Sequence, residues 1–370
     1  MIRLMPYNWQ QPGWPIFRYD LSSIEETLLK LAEKSGRASG LFTGLSAEAQ
    51  LEATVEMMVV EALKTSEIEG ELLSRKDVRS SIRKNLGLEK GAPIGDKRAQ
   101  GTAALMLAVR KTYEAPLSQA MLFEWHRLIM SGHRRTATEQ WRTHTEPMQV
   151  VSGAIGHERV HFEAPPSARI PDEMARFIRW FNETAPNGSL AIRKAAVRSA
   201  IAHLYFESIH PFEDGNGRIG RALSEKALSQ GLGRPVVLSL SRAIEANRRS
   251  YYDALKEGQQ SNDITRWVAW FVTMTLEAQT QAEALIDFTL KKTQLFDRSS
   301  TLLNSRQARI LRRMLDEGPD GFEGGMSTKK YMTIANTSKA TATRDLQDLA
   351  EKKILVPIGG GRSTHYKINL

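Results

Sequence analysis

His210, Asp214, Arg218 and Arg221 fall within one twelve-residue run, HPFEDGNGRIGR, together with three glycines. If Gly215-Asn216-Gly217 leads directly into a helix, its backbone N–H groups converge on one oxyanion. The helix N-terminus then adds about half a positive charge. Arg218 and Arg221, three apart at the same end, reach phosphate oxygens with forked, charge-assisted hydrogen bonds. Such a set describes a polyphosphate cradle. Asp214 would oppose that ligand unless a cation bridged the two, and a hard Mg2+ held by one carboxylate and the phosphates resolves the conflict. The imidazole of His210, four residues earlier, can take a proton from an attacking hydroxyl at neutral pH. Phe212 reads as an anchor whose buried ring holds the loop.

Other readings of these residues fail on spacing. A calcium loop beginning at Asp214 would have Arg218 at its fifth position and Ile219 where the sharp-turn glycine belongs. The Lys-Ser/Thr of a P-loop is missing. An ordinary surface loop would not need so dense a set of functional groups. A second pattern, HERVH at 157–161, formally satisfies the zinc-protease motif, which needs both histidines one turn apart on a helix and Glu158 as base. Here it follows Gly153 and Gly156, runs into Pro165-Pro166, and alternates as a strand does. On a strand the two histidines stand about 13 Å apart, too far to share one ion.

Around these residues the chain reads as mainly α. Leu51, Val55, Met58 and Ala62 recur at helical spacing over 47–69, with Gly70 as the stop. Helices are expected over 98–113, over 118–131 opening at Ser118, and over 171–183 with Pro171 in its first position. Another is expected over about 190–208, with Ile192, Ala196, Ala200 and Leu204 on one face. Pro211 ends it by His210, and a further helix runs from about Arg218 to Gly231. Residues 264–296 read as one or two long helices. The segment 152–166, with Val160, Phe162 and Ala164 alternating, has strand or hairpin grammar. The N-terminal NWQQPGWP reads as an irregular arm, with Trp9 and Trp14 as packing residues.

The chain has 370 residues, enough for two or three domains, and 41% are hydrophobic. It has no cysteine, which excludes disulfides, thiolate metal sites and cysteine nucleophiles. No apolar stretch reaches membrane-spanning length, so a soluble, cytoplasmic protein is expected, with no membrane partner. The net charge is +9, and residues 291–370 hold fifteen Lys/Arg against eight Asp/Glu, so +7 lies in the last eighty residues. There, 304–315 and 337–355 read as helices, and VPIGGGRSTHYKINL as two strands round a tip with Arg362. This module resembles a winged helix, with a recognition helix near Lys339, Thr341 and Arg344. Its basic charge suits DNA, and protein contact or dimerisation is the alternative use.

The run HPFEDGNGRIGR resembles the signature of Fic-domain proteins, His-Pro-Phe-x-Asp/Glu-Gly-Asn-Gly-Arg-x-x-Arg, at every fixed position. The resemblance covers about 100 to 275, including EQWRTHTEPMQV. It implies a Fic-type helical core with a β-hairpin flap that aligns a target side chain, here Glu158, Arg159, Val160, His161 and Phe162. With the winged helix added, the expected divisions are an N-terminal arm and inhibitory helix region (1–97), the Fic core (98–275), a helical linker (276–298) and the C-terminal module (299–370).

The resemblance implies a protein adenylyltransferase. Such an enzyme moves AMP from ATP to a Ser, Thr or Tyr hydroxyl of a target protein, releasing pyrophosphate, with Mg2+ or Mn2+ as cofactor. His210 is then the base and Asp214 the metal ligand. The ATP-binding set is Glu69, His210, Gly215, Asn216, Gly217, Arg218, Ile219, Gly220, Arg221 and, from RRSYYDALKEG, Tyr252. Core packing stays open for Tyr251 and Tyr252. Thr65 and Glu69 are four apart near a helix end and face the same way, and Gly70 lets the chain turn away. TSEIEGE thereby resembles the family's inhibitory pattern Ser/Thr-x-x-x-Glu-Gly/Asn. In such relatives the glutamate pairs with the second arginine, here Arg221, which would otherwise hold the γ-phosphate. The alternatives are a DNA-binding regulator with a nucleotide-sensing Fic core, or a Fic enzyme that removes AMP or transfers another nucleotidyl group. Self-modification and a homodimer stay open.

Overall fold

The computed structural model describes residues 7–90, 95–133, 138–152, 159–317 and 321–370. They divide into two units, one of residues up to 35 with 54–280, the other of 36–53 with 281–370. In chain order come α1 (Glu25–Thr43), α2 (Ala47–Ile68), α3 (Arg75–Asn85), α4 (Lys97–Lys111) and α5 (Gln119–Ile129). Ser74, Asp96 and Ser118 cap the last three by accepting first-turn N–H groups. A two-stranded antiparallel hairpin follows, β1 (Gln149–Ser152) and β2 (Arg159–Glu163), so the strand reading of that segment holds where it is described.

The remainder of the first unit is α6 (Ile170–Glu183), α7 (Ala195–Ile209), α8 (Asn216–Leu232), α9 (Leu240–Ala246), α10 (Arg248–Gly258) and the start of α11 (Thr265–Ser299). Helix α7 is the centre of this unit, with every residue from Ala196 to Ile209 buried. It begins later than the apolar spacing predicts. The N–H groups of Leu190 and Ile192 bond back to Glu183 and Thr184, so that stretch finishes the end of α6 instead. Helix α8 starts two residues before Arg218, which puts Asn216 and Gly217 inside its first turn. The 264–296 region is one helix, not two. The N-terminal arm packs as expected. Trp9 donates its indole N–H to Glu163 O (2.7 Å), Trp14 donates to Glu173 Oε2 (2.9 Å), and the Asn8 amide reaches Ser208 (2.8 Å).

In the second unit α12 (Ser305–Leu315), α13 (Thr328–Ala335) and α14 (Lys339–Glu351) precede β3 (Leu355–Ile358) and β4 (His365–Ile368), paired antiparallel with Leu355 opposite Ile368. Ile310, Leu311, Met314, Tyr331, Leu346 and Leu349 form its core. Three helices followed by a two-strand wing make a winged helix. Helix α14 is shorter than the sequence pattern suggests, because Ser338 caps it and Lys353 turns left-handed just past its end. Among the described residues, no helix is long and apolar enough to cross a membrane.

Helices α4 and α5 approach most closely at Gly101, where an added Cβ would overlap the carbonyl oxygen of Leu128. On helix propensity alone, Gly101→Ala would stabilise α4 by about 1 kcal/mol. Backbone overlap reverses the sign, and the expected outcome is a loss of about 1–3 kcal/mol. A thermal melt with the alanine variant at or above wild type would contradict this packing.

Candidate active site

Pro211 bars His210 from continuing α7, and His210 turns into the left-handed region at φ 50°, ψ 61°. For a non-glycine residue that costs about 1–2 kcal/mol, so the turn must be held. Arg142 holds it. Its Nε donates to His210 O (2.8 Å), its main-chain N–H to Pro211 O (3.0 Å), and the rest of the guanidinium to Ser167 Oγ (2.9 Å) and Pro165 O. Burial lowers the Arg142 pKa to about 10. Below the turn, Phe212 is buried with its ring stacked on His126 at 4.0 Å and tilted against Trp141 at 5.1 Å. His126 Nε2–H donates to the carbonyl of Asp214 (3.2 Å), and burial pushes the imidazole pKa down.

The Asn216 amide is committed to the loop itself. Its Oδ1 accepts from Phe212 N (3.0 Å) and its Nδ2 donates to Phe212 O (2.8 Å). Only the main-chain N–H of Asn216 is left for an anion. Gly215, at φ 83°, caps α8, and the first i→i−4 bond runs from Ile219 N to Gly215 O (3.1 Å). The N–H groups of Asn216, Gly217 and Arg218 therefore have no acceptor within the helix, at the position where the sequence reading expects an anion. Of Ile219 and Gly220, also expected among the nucleotide contacts, the side chain of Ile219 is buried, and a Cβ on Gly220 would overlap the Glu207 carboxylate of α7.

A second turn closes on this one. At the end of α2, Gly70 lies at φ 82°, Gly70 N bonds to Glu67 O (3.0 Å) and Glu71 N to Ser66 O (2.9 Å). That is a Schellman motif, with Glu69 just before the left-handed glycine and Glu71 just after it. Glu69 Oε1 accepts from Arg221 (2.7 Å), while Thr65 accepts from the same guanidinium through Oγ1 (2.8 Å) and its carbonyl (2.8 Å). A Cβ on Gly217 would overlap the Glu69 carboxylate, so this acid sits against the first turn of α8. Glu71 pairs with Arg218 (3.0 Å) and contacts His133 (2.7 Å). Both arginines are buried, at 2% and 1% side-chain exposure, against 32% for Glu69. Burial works against the Arg221 charge, but Glu69, Tyr251 and Glu207 together outweigh burial and the pKa is raised.

His210 is flanked by Glu207, with Nδ1 3.8 Å from Glu207 Oε2. Burial, reinforced by Arg142, pushes the His210 pKa down to about 4, leaving the imidazole neutral at pH 7. Burial and then the charge of Glu69 push Glu207 up to about 8, and its Oε1 is buried with no hydrogen-bond partner. Tyr251 belongs to the core, bonded to His203 (2.9 Å), whereas Tyr252 is 42% exposed, carries Arg248 over its ring and reaches Ile68 O (3.4 Å). Asp214 is 56% exposed at the mouth of the cradle, 3.6 Å from Arg218. Among the described residues no three or more His, Cys, Asp or Glu gather as a metal-binding group. One exposed hard carboxylate beside free N–H donors fits Mg2+, which binds through few protein ligands and substrate phosphates.

Of the flap residues, Arg159 and Val160 are exposed and His161 is half-buried, while Phe162 turns inward against Tyr7 at 5.0 Å. Phe162 is therefore an anchor of the hairpin. Glu158 lies outside the described residues, as does His157 of the zinc-type pattern, and Arg159–Glu163 is strand. The sequence reading missed Glu71, His126, His133, Arg142 and Glu207. Glu71 alone carried a local signal, as the second acid flanking the Gly70 turn. The others are joined to the loop only by tertiary contacts.

Residues 116–228 match the family model of the Fic/DOC family. Residues 7–88 match a domain of unknown function, DUF4172, and 323–369 match the C-terminal domain of DIP2311-like transcriptional regulators. A probable protein adenylyltransferase of Aquifex aeolicus is 31% identical over 99 residues, 27% of either chain. A protein adenylyltransferase Fic of Culex quinquefasciatus is 32% identical over 102 residues, 28% of this chain and 18% of that one. The chain thus matches about a quarter or less of the length of these curated relatives. A Fic family protein of Desulfovibrio desulfuricans G20 superimposes with a TM-score of 0.54 at 21% identity, covering 92% of this chain and 95% of its own. Fic-1 of C. elegans does so at 0.51 and 21%, covering 74% of each. These structures show the fold.

The buried Glu207 gives a pH test. Its folded-state pKa is raised from 4.5 to about 8, so the folded protein binds the extra proton between those values. That contribution is fully present below pH 4.5 and is lost as pH rises toward 8. Glu207→Gln has no such proton to lose. Its stability relative to wild type should therefore increase from pH 5 to pH 8 in denaturant titrations, and a constant difference would contradict the burial of an acid there.

Proposed function

We propose, from the premise that residues 116–228 of this chain form a Fic domain, that the protein transfers AMP from ATP to a Ser, Thr or Tyr hydroxyl of a protein, and that Glu69 holds it in a repressed state. The observation that carries this reading is the seat of the Glu69 carboxylate, against Gly217 and on Arg221, beside His210.

In the active state the first-turn N–H groups of α8, with Arg218 and Arg221, bind the phosphates and receive the charge that develops on the leaving group. Asp214 would hold Mg2+, which neutralises phosphate charge when bound. His210, neutral at pH 7, removes the proton from the target hydroxyl. The freed oxygen attacks the α-phosphorus, forming the O–P bond as the bond to the bridging oxygen breaks, and the electron pair leaves with pyrophosphate. The proton remains on His210 until solvent takes it. Arg159 and Val160, exposed on β2, are placed to align the incoming residue as an added strand would. Glu69 opposes all of this. A terminal phosphate and the Glu69 carboxylate are like charges competing for one guanidinium, so ATP binds without its productive third phosphate contact.

With ATP labelled on its α-phosphate, Glu69→Gly should raise self-labelling by about tenfold or more, equivalent to about 1.4 kcal/mol of competition removed. Arg221→Ala on top of it should remove the gain, and His210→Ala should lower the rate by about 10²–10⁴ while nucleotide still binds. Equal labelling by wild type and Glu69→Gly at matched Mg-ATP would contradict the repression.

A second reading attaches to the winged helix, supported by its match to a transcriptional-regulator domain. Helix α14 keeps Lys339 and Arg344 exposed while Ala342, Leu346 and Leu349 face the core. That is how a recognition helix presents itself to duplex DNA. The full chain should bind duplex DNA weakly and lose affinity as salt rises, and a Lys339→Ala/Arg344→Ala variant should flatten the salt slope by about two phosphate contacts. No binding at low salt would leave protein contact as the use of this unit.

A further inference from the structure

Glu69 is poorly placed to hold itself in the site. It meets Arg221 through one oxygen from a partly exposed position just past the end of a helix. Arg221 keeps Thr65 as a second partner whether or not Glu69 stays, and the partly exposed Glu69 side chain can return to water. This contact alone therefore does not fix Glu69 against a polyphosphate with several charge-assisted contacts. The seat must be supplied by something near it.

Glu71 has the contacts that Glu69 lacks. Its Oε2 accepts from the buried Arg218 at 3.0 Å, and its Oε1 lies 2.7 Å from His133 Nε2, so two separate elements grip both oxygens. Arg218 is one of two cations buried in the first turns of α8, and Asp214, its other acid, stands farther off at 3.6 Å. The His133 backbone is itself tied to the end of α5 through its N–H on Met130 O (3.0 Å). Between Glu69 and Glu71 there is a single residue, Gly70, locked left-handed in the Schellman turn by the bonds to Glu67 O and Ser66 O. A turn closed by two main-chain bonds moves as one piece. Whatever fixes Glu71 therefore fixes Glu69.

We infer that Glu71 is the positioning residue of the repressed state: gripped by Arg218 and His133, it pins the turn that seats Glu69 over Gly217 and Arg221. It touches no reacting atom; it sets the place of Glu69, and its own direct contact is with Arg218. This rests on the reading of Glu69 as a repressor, and release of the clasp at Glu71 is then the step that any activating signal has to achieve.

The test uses the full chain with Glu71→Gln, which keeps the volume and removes the charge, and His133→Gln as a milder variant at the same contact. In an otherwise wild-type background Glu71→Gln should raise labelling from α-labelled ATP by about fivefold or more, as expected for a directly coupled pair. In the Glu69→Gly background the rise should be clearly smaller, because the residue it positions is gone and only its direct contact with Arg218 remains. A merely structural role would lower labelling in both backgrounds. A second readout needs no catalysis: the amides of Gly70 and Glu71 should exchange with deuterium faster in Glu71→Gln than in wild type, at an unchanged melting temperature. If Glu69→Gly gives no label, the transferase reading fails and amide exchange still decides whether Glu71 pins the turn. Unchanged exchange, or an equal rise in labelling in the Glu69→Gly background, overturns the inference.

Discussion

Two guanidinium groups buried in the first turns of one helix set the terms for everything around them. Arg218 and Arg221 are almost wholly out of water, at the end of α8 that already carries the positive pole. A buried cation left without a partner costs about 3–5 kcal/mol, so each must have an anion in every state of the protein. Phosphates can serve, and so can the acids on either side of Gly70. In this structure the acids hold both places. The proposed repression rests on that exchange of anions.

The rest of the core keeps these two arginines in register with the loop before them. Helix α7 is buried all round and fixes where its left-handed last turn delivers His210. Arg142 holds that turn from the segment before the hairpin, and Asn216 and His126 hold the loop from inside. None of these three side chains is free for a ligand. Their work is to spend polar groups on the loop, so that the main-chain N–H groups and two arginines are left facing the cradle. Gly217 and Gly220, three residues apart on the same helix, leave room for two carboxylates, that of Glu69 and that of Glu207.

The chemistry was legible in the sequence to the extent that it is local. One twelve-residue run carries the histidine, the acid, the glycines and both arginines, and TSEIEGE carries Thr65, Glu69 and Gly70 within a turn and a half. Local patterns also placed α2, α4, α5, α6, the hairpin and the wing to within a few residues. The start of α7 was misjudged because Ile192 fits the helical stripe while its backbone finishes α6. Ile219 was grouped with the ligand set as part of the motif, while its side chain is buried. Arg142, His126 and Glu207 act through contacts across the fold, which no spacing in one chain reveals. The short helices α9 and α13, of 7 and 8 residues, lack the length over which periodicity becomes visible.

The central claim is that Glu69 and the terminal phosphate of ATP compete for Arg221. Calorimetric titration of Mg-ATP and Mg-ADP against wild type, Glu69→Gly and Glu69→Gly/Arg221→Ala tests it without any target protein. The account predicts that wild type barely distinguishes the two nucleotides, that Glu69→Gly gains affinity for ATP over ADP, and that loss of Arg221 abolishes the gain. An equal gain for both nucleotides, or none for either, would contradict it.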